Sequence, residues 1–148
     1  MSKPFRIVIP TDFSDASLVA LDWVKKLCAE NEAEVHCVTA IHQPVMYMPM
    51  MSGTNVESVP SPDHLRRLSQ ESLDVFVSKH MNDLGSAPIT SVLEGRPSSE
   101  IINYAEKIDA DIIVIATHGH SRLAHALLGS TAEGIVRDAK CPVLTVRE

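Results

Sequence analysis

Residues 111–133 read DIIVIATHGHSRLAHALLGSTAE, and this stretch decides the fold. It opens with a run from Asp111 to Ala116 that is apolar after its first residue and rich in isoleucine, which is typical of a strand buried on both faces. A loop with glycine and histidine follows, and a helix is predicted from about Ser130. A buried strand that leads through a loop into a helix is the repeating unit of a parallel α/β sheet.

The rest of the chain repeats this alternation of strand and helix. The other predicted strands are Phe5–Pro10, Val35–Ile41, Ile89–Leu93 and Pro142–Val146. Helices are predicted after the N-cap Ser14 (inner face Leu18, Leu21, Val24 and Cys28), from Pro62 to Gly85 (apolar positions Leu65, Leu68, Phe76 and Leu84), and after Pro97 (Ile101, Ile102, Ala105 and Ile108). Residues 43–62 hold four prolines and four methionines, which predicts a long loop. We therefore predict a parallel α/β sheet with helices on both faces.

The composition of the chain argues against several classes of function. A chain of 148 residues that is 45% hydrophobic and 22% charged suits one domain over residues 1–148. Its formal net charge of −6 argues against binding to a nucleic-acid backbone, which requires a surplus of Lys and Arg. No apolar run approaches the ~20 residues of a membrane span, and no signal-peptide pattern is expected at the N-terminus. Cys28, Cys37 and Cys141 cannot all pair and show no CxxC spacing, which predicts reduced thiols in a cytoplasmic protein.

Ligands of such sheets bind at the carboxyl ends of strands where the winding direction reverses. This rule selects the turns after strands one, two and four, at residues 11–12, 40–42 and 117–119. Gly119 and Gly129 let the backbone approach a ligand closely and adopt a positive φ. The free N–H groups at the start of the last helix, with the hydroxyls of Ser130 and Thr131, predict a site for an anion such as phosphate.

Five segments of the sequence resemble the universal stress protein (UspA-like) family, in the right order and over nearly the whole chain: PTDFS at 10–14, GRP at 95–97, ATHG at 116–119, GS at 129–130 and CPV at 141–143. ATP-binding members of that family carry the pattern G-2x-G-9x-G-(S/T). The chain keeps Gly119, the nine-residue spacer, Gly129 and Ser130, and departs at the first glycine, which is Ala116. The resemblance implies a Rossmann-like, doubly wound sheet of five strands in the order 3-2-1-4-5, with ATP, ADP or AMP as ligand.

The resemblance also implies a role for each matching position. Asp12 contacts the ribose, Pro10 and Thr11 line the same wall, and the backbone at Ala40 reads the adenine edge. Amides of Gly119, Gly129, Ser130 and Thr131 hold the phosphates, whose oxygens a Mg²⁺ or Mn²⁺ ion bridges. Ala116 closes the fourth strand beside them, where its methyl group is tolerated. Apart from the resemblance, the positive charge of Arg122 and His120 makes both residues candidates for phosphate contacts from the loop.

The last strand is predicted to form a homodimer interface, over residues Pro142 to Arg147. In the order 3-2-1-4-5 one side of this strand is unpaired, and a bare sheet edge favours pairing with another chain. The family resemblance implies dimers through the same segment. The protein partner that responds to such a dimer is not indicated by the sequence.

Several of these residues also have simpler interpretations. Ser130 and Glu133 have the spacing of a capping box, and Asp12 suits an Asx-turn. His118, His120 and His125 lack a Cys or carboxylate at metal-ligand spacing, so solvated imidazoles or phosphate contacts are favoured over zinc. The methionines at 46–51 suit a lid or a partner surface, and Cys37 suits a small buried apolar residue.

Three functions remain open on the sequence. The favoured one is a cytoplasmic stress-response regulator that binds an adenine nucleotide and dimerises. The second is a nucleotide-free interaction protein of the same fold. The third is an enzyme with slow ATP hydrolysis or adenylate chemistry, which lacks support because the chain has no SGGxDS, HIGH or GxxxxGK[ST] motif and no evident general base with an orienting partner.

Overall fold

All five predicted strands and all four predicted helices are present in the computed structural model, which describes residues 2–42, 60–118 and 128–147. In chain order they are β1 (Phe5–Pro10), α1 (Asp15–Glu30), β2 (Ala33–Ile41), α2 (Pro62–His80), β3 (Ile89–Glu94), α3 (Pro97–Lys107), β4 (Ile112–Ala116), α4 (Ser130–Asp138) and β5 (Val143–Val146). The methionine-rich part of the predicted loop, residues 43–59, lies outside the described residues.

The strands form one parallel sheet in the order β3-β2-β1-β4-β5, which confirms the predicted topology. The chain winds outward from β1 to β3 in one direction and from β4 to β5 in the other. The winding direction therefore reverses at the seam between β1 and β4, which is where ligands of doubly wound sheets bind.

Alternate residues of each strand supply two cores, one on either face of the sheet. On the face covered by α1 and α2, the buried side chains include Ile7, Cys37, Val24 and Leu73. On the face covered by α3 and α4 they include Val8, Val38, Ile113, Ile101 and Ile135. Cys37 is fully buried, and burial raises the pKa of its thiol to about 12, which confirms the prediction that it is a small apolar residue of the core.

The predicted extent of α2 was wrong at its C-terminal end. The helix ends at His80 instead of continuing to Gly85, because Met81 leaves helical geometry (φ −123°, ψ 24°) and inserts its side chain into the core at 1% exposure. Gly85 takes a positive φ of 84° in the turn that follows. Leu68, which was predicted among the apolar positions of this helix, is 44% exposed on its outer face.

The seam between β1 and β4 carries fewer backbone pairs than its neighbours. β1 pairs with β2 from Phe5–Ala33 to Pro10–Val38, and β4 pairs with β5 as far as Ala116–Val146. Between β1 and β4, however, only Ile7–Ile112 and Val8–Ile113 are in register. The sheet is thus least joined at its centre, toward the carboxyl ends of the two strands.

The amino-terminal part of the sheet is tied by a polar network around Arg6. The Arg6 guanidinium donates to Glu34 Oε1 at 3.1 Å and to the Ile108 carbonyl oxygen at 2.7 Å. His36, which is 4% exposed, shares a hydrogen bond of 2.9 Å with the same Glu34 oxygen and one of 2.8 Å with the Tyr104 hydroxyl. The hydrogen bond with His36 is the main cause that lowers the pKa of Glu34, and the charge of Arg6 makes a smaller contribution in the same direction.

The helices α3 and α4 meet at an unusually close contact. A Cβ placed on Gly134 would lie 2.7 Å from the Ser98 Cβ, which is too short for two non-bonded carbon atoms. Both residues are buried. Glycine at position 134 therefore allows α3 and α4 to approach each other closely over the face of the sheet that they cover.

Candidate functional site

A cleft of about 500 Å³ opens at the carboxyl edge of the sheet, over the seam between β1 and β4. It is lined by residues from the carboxyl ends of β1, β2 and β4, from the turns after β1 and β4, and from the amino-terminal parts of α1, α3 and α4. The predicted site residues among its walls are Pro10, Thr11, Asp12, Ala40, Ala116, Gly129, Ser130 and Thr131. Gly119, His120 and Arg122, which were predicted at the same site, lie outside the described residues.

The first turn of α4 presents backbone donors to this cleft. Gly129 is the N-cap, and the first bond within the helix runs from the Glu133 N–H to the Gly129 carbonyl oxygen at 2.9 Å. The N–H groups of Ser130, Thr131 and Ala132 precede that bond, so they have no acceptor within the helix. Together with the helix dipole they favour an anion at this end of the cleft.

The capping-box interpretation of Ser130 was wrong. Ser130 is the first residue of the helix instead of its N-cap, and no side chain caps the N-terminus of α4. A capping box needs its Ser at the N-cap, so the pair with Glu133 does not form. Since Gly129 takes the N-cap position, the hydroxyl of Ser130 belongs to the wall of the cleft.

The role predicted for Gly129 was wrong in two respects. Its φ is −66°, so the backbone does not require the left-handed region, and its N–H donates to the Thr117 carbonyl oxygen at 2.6 Å, which engages it within the protein. Glycine fits here for a different reason. A Cβ would lie 3.2 Å from that carbonyl oxygen, so a larger residue would push the start of α4 away from the end of β4.

The second strand offers a backbone donor and acceptor at Ala40. Backbone groups alternate sides along a parallel strand, and the Val38 carbonyl oxygen accepts from the Thr11 N–H at 2.8 Å on the β1 side. The N–H and C=O of Ala40 face the same side, but the ladder with β1 ends at Pro10–Val38. On the other side, pairing with β3 continues to Ile41–Glu94. Ala40 therefore directs one donor and one acceptor into the cleft.

The turn after β1 is held by its own side chains. Asp12 Oδ1 accepts from the Ser14 N–H at 3.0 Å and from the Ser17 hydroxyl at 3.2 Å, which is the Asx-turn that the sequence left open. Thr11 Oγ1 accepts from the Phe13 N–H at 3.0 Å, and Phe13 takes a positive φ of 65°. These bonds fix the direction of the Asp12 carboxylate at the wall of the cleft.

Sequence reasoning missed several residues of the cleft. They include Phe13, Ser17, Thr39, Pro97, Ile101 and Ala132. Thr39 and Ser17 carried a usable signal, because each is a hydroxyl side chain in an otherwise apolar inward-facing series and is buried at 6% and 4% exposure. Phe13 belongs to the segment 10–14 that carries the family resemblance, but nothing in the sequence indicates that its backbone takes a positive φ.

The histidine at the end of β4 has an unsatisfied atom. Nδ1 of His118 is buried and has no hydrogen-bond partner, and His118 lines the cleft. A buried polar atom without a partner is costly, so a ligand group that bonds to it would be favoured. Of the cleft-lining residues in the described part of the chain, Asp12 is the only Asp, Glu, Lys or Arg.

Residues 2–42, 60–118 and 128–147 contain neither a metal-binding cluster of side chains nor a membrane-spanning helix. No three His, Cys, Asp or Glu side chains in these ranges are grouped to hold a metal ion, while His120 and His125 lie outside them. In the same ranges, no helix is long and apolar enough to cross a membrane.

Comparison with known proteins identifies relatives over nearly the whole chain. Residues 4–147 match the model of the Universal stress protein family. The universal stress protein MJ0531 of Methanocaldococcus jannaschii is 38% identical over 144 residues, covering 97% of this chain and 82% of that protein. The solved structure of hypothetical protein MJ0577 from the same organism matches with a TM-score of 0.78 at 26% identity, covering 97% and 95% of the two chains. A universal stress protein in complex with cAMP matches in fold, with a TM-score of 0.69 at 23% identity and 98% coverage of both chains.

Proposed function

Because this chain belongs to the universal stress protein family, we propose that it is a stress-response regulator that binds an adenine nucleotide in the cleft over the β1–β4 seam. The observation that carries the proposal is the pairing of two backbone features in one cavity. Ala40 offers a donor and an acceptor, and the first turn of α4 offers three N–H groups and two hydroxyls. A ligand in which a base with one hydrogen-bond acceptor and one donor is joined to a phosphate matches both features.

The adenine ring fits the Ala40 end. Its Watson–Crick edge carries the N1 acceptor beside the N6 amino donor, which complements one backbone N–H and one C=O. Guanine presents the opposite order at these positions, with a donor at N1 and an acceptor at O6, so the same backbone pair disfavours it. The structural relative in complex with cAMP is an adenine-nucleotide binder of the same fold, which supports this assignment.

The phosphate fits the α4 end. The N–H groups of Ser130, Thr131 and Ala132 and the hydroxyls of Ser130 and Thr131 would receive its oxygens, and Nδ1 of His118 gains a partner there or at the sugar. Gly119, His120 and Arg122 remain predicted contributors from the neighbouring loop. ATP, ADP and AMP share this chemistry, and a Mg²⁺ or Mn²⁺ ion bridging the phosphates of the longer nucleotides would reduce their mutual repulsion.

The Asp12 carboxylate remains the proposed partner of the ribose. Its Asx-turn bonds engage Oδ1 and orient the group at the wall that also includes Pro10 and Thr11. Backbone N–H groups hold the phosphates of the bound nucleotide and of the transition state alike, and such uniform binding does not accelerate hydrolysis. We therefore propose that the protein binds the nucleotide and hydrolyses it slowly. The expected rate is below roughly 1 per second, which is the lower end of typical kinase rates.

We further propose that the protein is a cytoplasmic homodimer that pairs through β5. That strand is at one end of the sheet and pairs within the described chain only with β4, and Pro142 precedes it where a missing N–H is tolerated. All three cysteines are free thiols, in keeping with a reducing compartment. Deletion of residues 142–148 should convert dimers to monomers or aggregates, and light scattering that finds only monomers of the intact chain would contradict the interface.

Calorimetry with AMP, ATP and GTP tests the proposed ligand. Both adenine nucleotides should bind, ATP more tightly with Mg²⁺ than with a chelator, and GTP at least tenfold more weakly. Absence of heat with either adenine nucleotide at millimolar concentration would overturn the proposal in favour of a nucleotide-free interaction protein. Mass spectrometry of the freshly purified native protein adds an independent measurement, because a retained nucleotide would be identified by its mass.

A further inference from the structure

A single residue explains where the backbone pairing between β1 and β4 ends. β1 is a regular strand as far as Pro10, since it pairs with β2 through Pro10–Val38. β4 is regular as far as Ala116, since it pairs with β5 through Ala116–Val146. Both strands therefore continue beyond Val8–Ile113, where their mutual pairing stops. The end of the seam is not the end of either strand.

The alternation of backbone groups explains the stop. The Thr11 N–H points to β2, where it bonds the Val38 carbonyl oxygen at 2.8 Å, so the backbone of residue 10 points to β4. The next bond of the β1–β4 ladder after Val8–Ile113 would run from the N–H of residue 10 to the carbonyl oxygen of Val114. Proline has no N–H, so this bond cannot form.

The position of this proline is unusual. β1 is the central strand of five, and proline is normally confined to edge strands, strand starts and bulges because it interrupts a ladder. Pro10 is buried and lines the cleft together with Ile115 and Ala116 of the facing strand. The interruption it causes is therefore located at the floor of the cavity.

We propose that Pro10 is a positioning residue of the nucleotide cleft: by lacking an N–H it keeps the carboxyl ends of β1 and β4 unjoined, so that a ligand fits between the turns that follow them. The proposal rests on the proposed nucleotide function and assigns to Pro10 a role beyond lining the wall. A residue with an N–H at this position extends the ladder by one bond. The extension draws the turn with Asp12 toward the start of α4 and narrows the cleft.

The test is the Pro10→Ala variant, with Pro62→Ala as its control. Pro62 is an exposed residue outside the cleft and the first residue of α2, where a restored N–H has no ladder to join. Two measurements are made on each protein. One is the NMR scalar coupling across a hydrogen bond, from the amide nitrogen of residue 10 to the carbonyl carbon of Val114. The other is the affinity for AMP by calorimetry.

In Pro10→Ala we expect the coupling to be present and the affinity for AMP to fall about fivefold, or ~1 kcal/mol, while Pro62→Ala stays within twofold of the wild type. Absence of the coupling would overturn the account of the seam. A coupling with unchanged affinity would overturn the role of Pro10 in binding. If the wild type binds no adenine nucleotide, the proposed function fails, and the coupling still decides whether Pro10 interrupts the seam.

Discussion

At the amino-terminal part of the sheet, polar groups satisfy one another, whereas at the carboxyl edge the backbone presents donors to a cavity. Arg6, Glu34, His36 and Tyr104 are joined by hydrogen bonds of 2.7 to 3.1 Å that end on the Ile108 carbonyl oxygen. The first turn of α4 has no side-chain cap, and Ala40 lies past the end of its ladder with β1. The same sheet thus has one region whose polar groups bond to each other and one region whose backbone groups face the cleft.

The difference separates stability from binding. Paired polar groups contribute to folding and leave nothing for a ligand, while unpaired backbone groups at a cleft weaken folding slightly and gain a partner when a ligand arrives. Substitutions around Arg6 should therefore change the free energy of unfolding without changing affinity. Substitutions at the first turn of α4 should change mainly the affinity.

The largest effect is expected from Gly129→Val, which should abolish detectable binding of AMP. Its Cβ would meet the Thr117 carbonyl oxygen at 3.2 Å, and the branched side chain adds further bulk, so the start of α4 must move. Calorimetry measures the loss. Val136→Ala, an exposed position on the same helix, is the control and should bind as the wild type does. Wild-type affinity in Gly129→Val would show that the first turn of α4 does not form the anion site.

The next effect is on stability. Arg6→Met removes the guanidinium bonds to Glu34 and Ile108 and should lower the free energy of unfolding by about 2 kcal/mol. Urea denaturation measures the change, and affinity for AMP should stay within twofold. Arg137→Met, which breaks an exposed pair with Asp138, is the control and should cost less than about 0.5 kcal/mol. A loss of affinity in Arg6→Met equal to that in the α4 variants would mean that the two regions are not independent.

A smaller effect is expected from pH. The folded-state pKa of Glu34 is lowered by its bond with His36, so its contribution to stability is present above the unfolded-state pKa of about 4.3 and is lost as the pH falls through the lower folded value. The free energy of unfolding of the wild type should therefore exceed that of Glu34→Gln at pH 6, and the gap should shrink toward pH 3. A gap that is constant with pH would contradict the contribution of the charge.

The smallest effect is expected from Ala116→Gly, which restores the first glycine of the family pattern. Ala116 ends β4 in regular pairing with Val146, a conformation that alanine adopts without strain, and its methyl group adds one carbon to the cleft. The affinity for AMP should change by less than about tenfold, or ~1.4 kcal/mol. Conversion of a non-binding protein into a binding one would show instead that the departure at Ala116 decides the function.

The strands and their order were predictable because their signals are local and repeated. Buried parallel strands are short apolar runs, and the turns between them are marked by proline, glycine and N-cap residues. The end of α2 was not predictable, because it depends on the insertion of Met81 into a core that is formed by distant residues. Helical periodicity continues past Met81 in the sequence and gives no sign of the turn.

The members of the site were predictable, but their bonds were not. The topology brings residues 10–12, Ala40, Ala116 and 129–131 to one cleft, as the strand order requires. The engagement of the Gly129 N–H by Thr117 depends on the path of the chain between β4 and α4, which no spacing of residues encodes. The use of Asp12 Oδ1 in an Asx-turn was one of two interpretations that the sequence left open.

The contact between Gly134 and Ser98 has a consequence for how this chain and its relatives can diverge. A methyl group at 134 collides with the Ser98 side chain, whose Cβ and Oγ would lie 2.7 and 2.8 Å away. Position 134 can gain a side chain only if position 98 loses part of its own, so natural substitutions at 134 should be accompanied by a smaller residue at 98. A Ser98→Gly change would open a route to alanine at 134, whose higher helix propensity is worth roughly 1 kcal/mol over glycine. The order of the two substitutions is then constrained, because the larger residue is accepted only after the smaller one has made room.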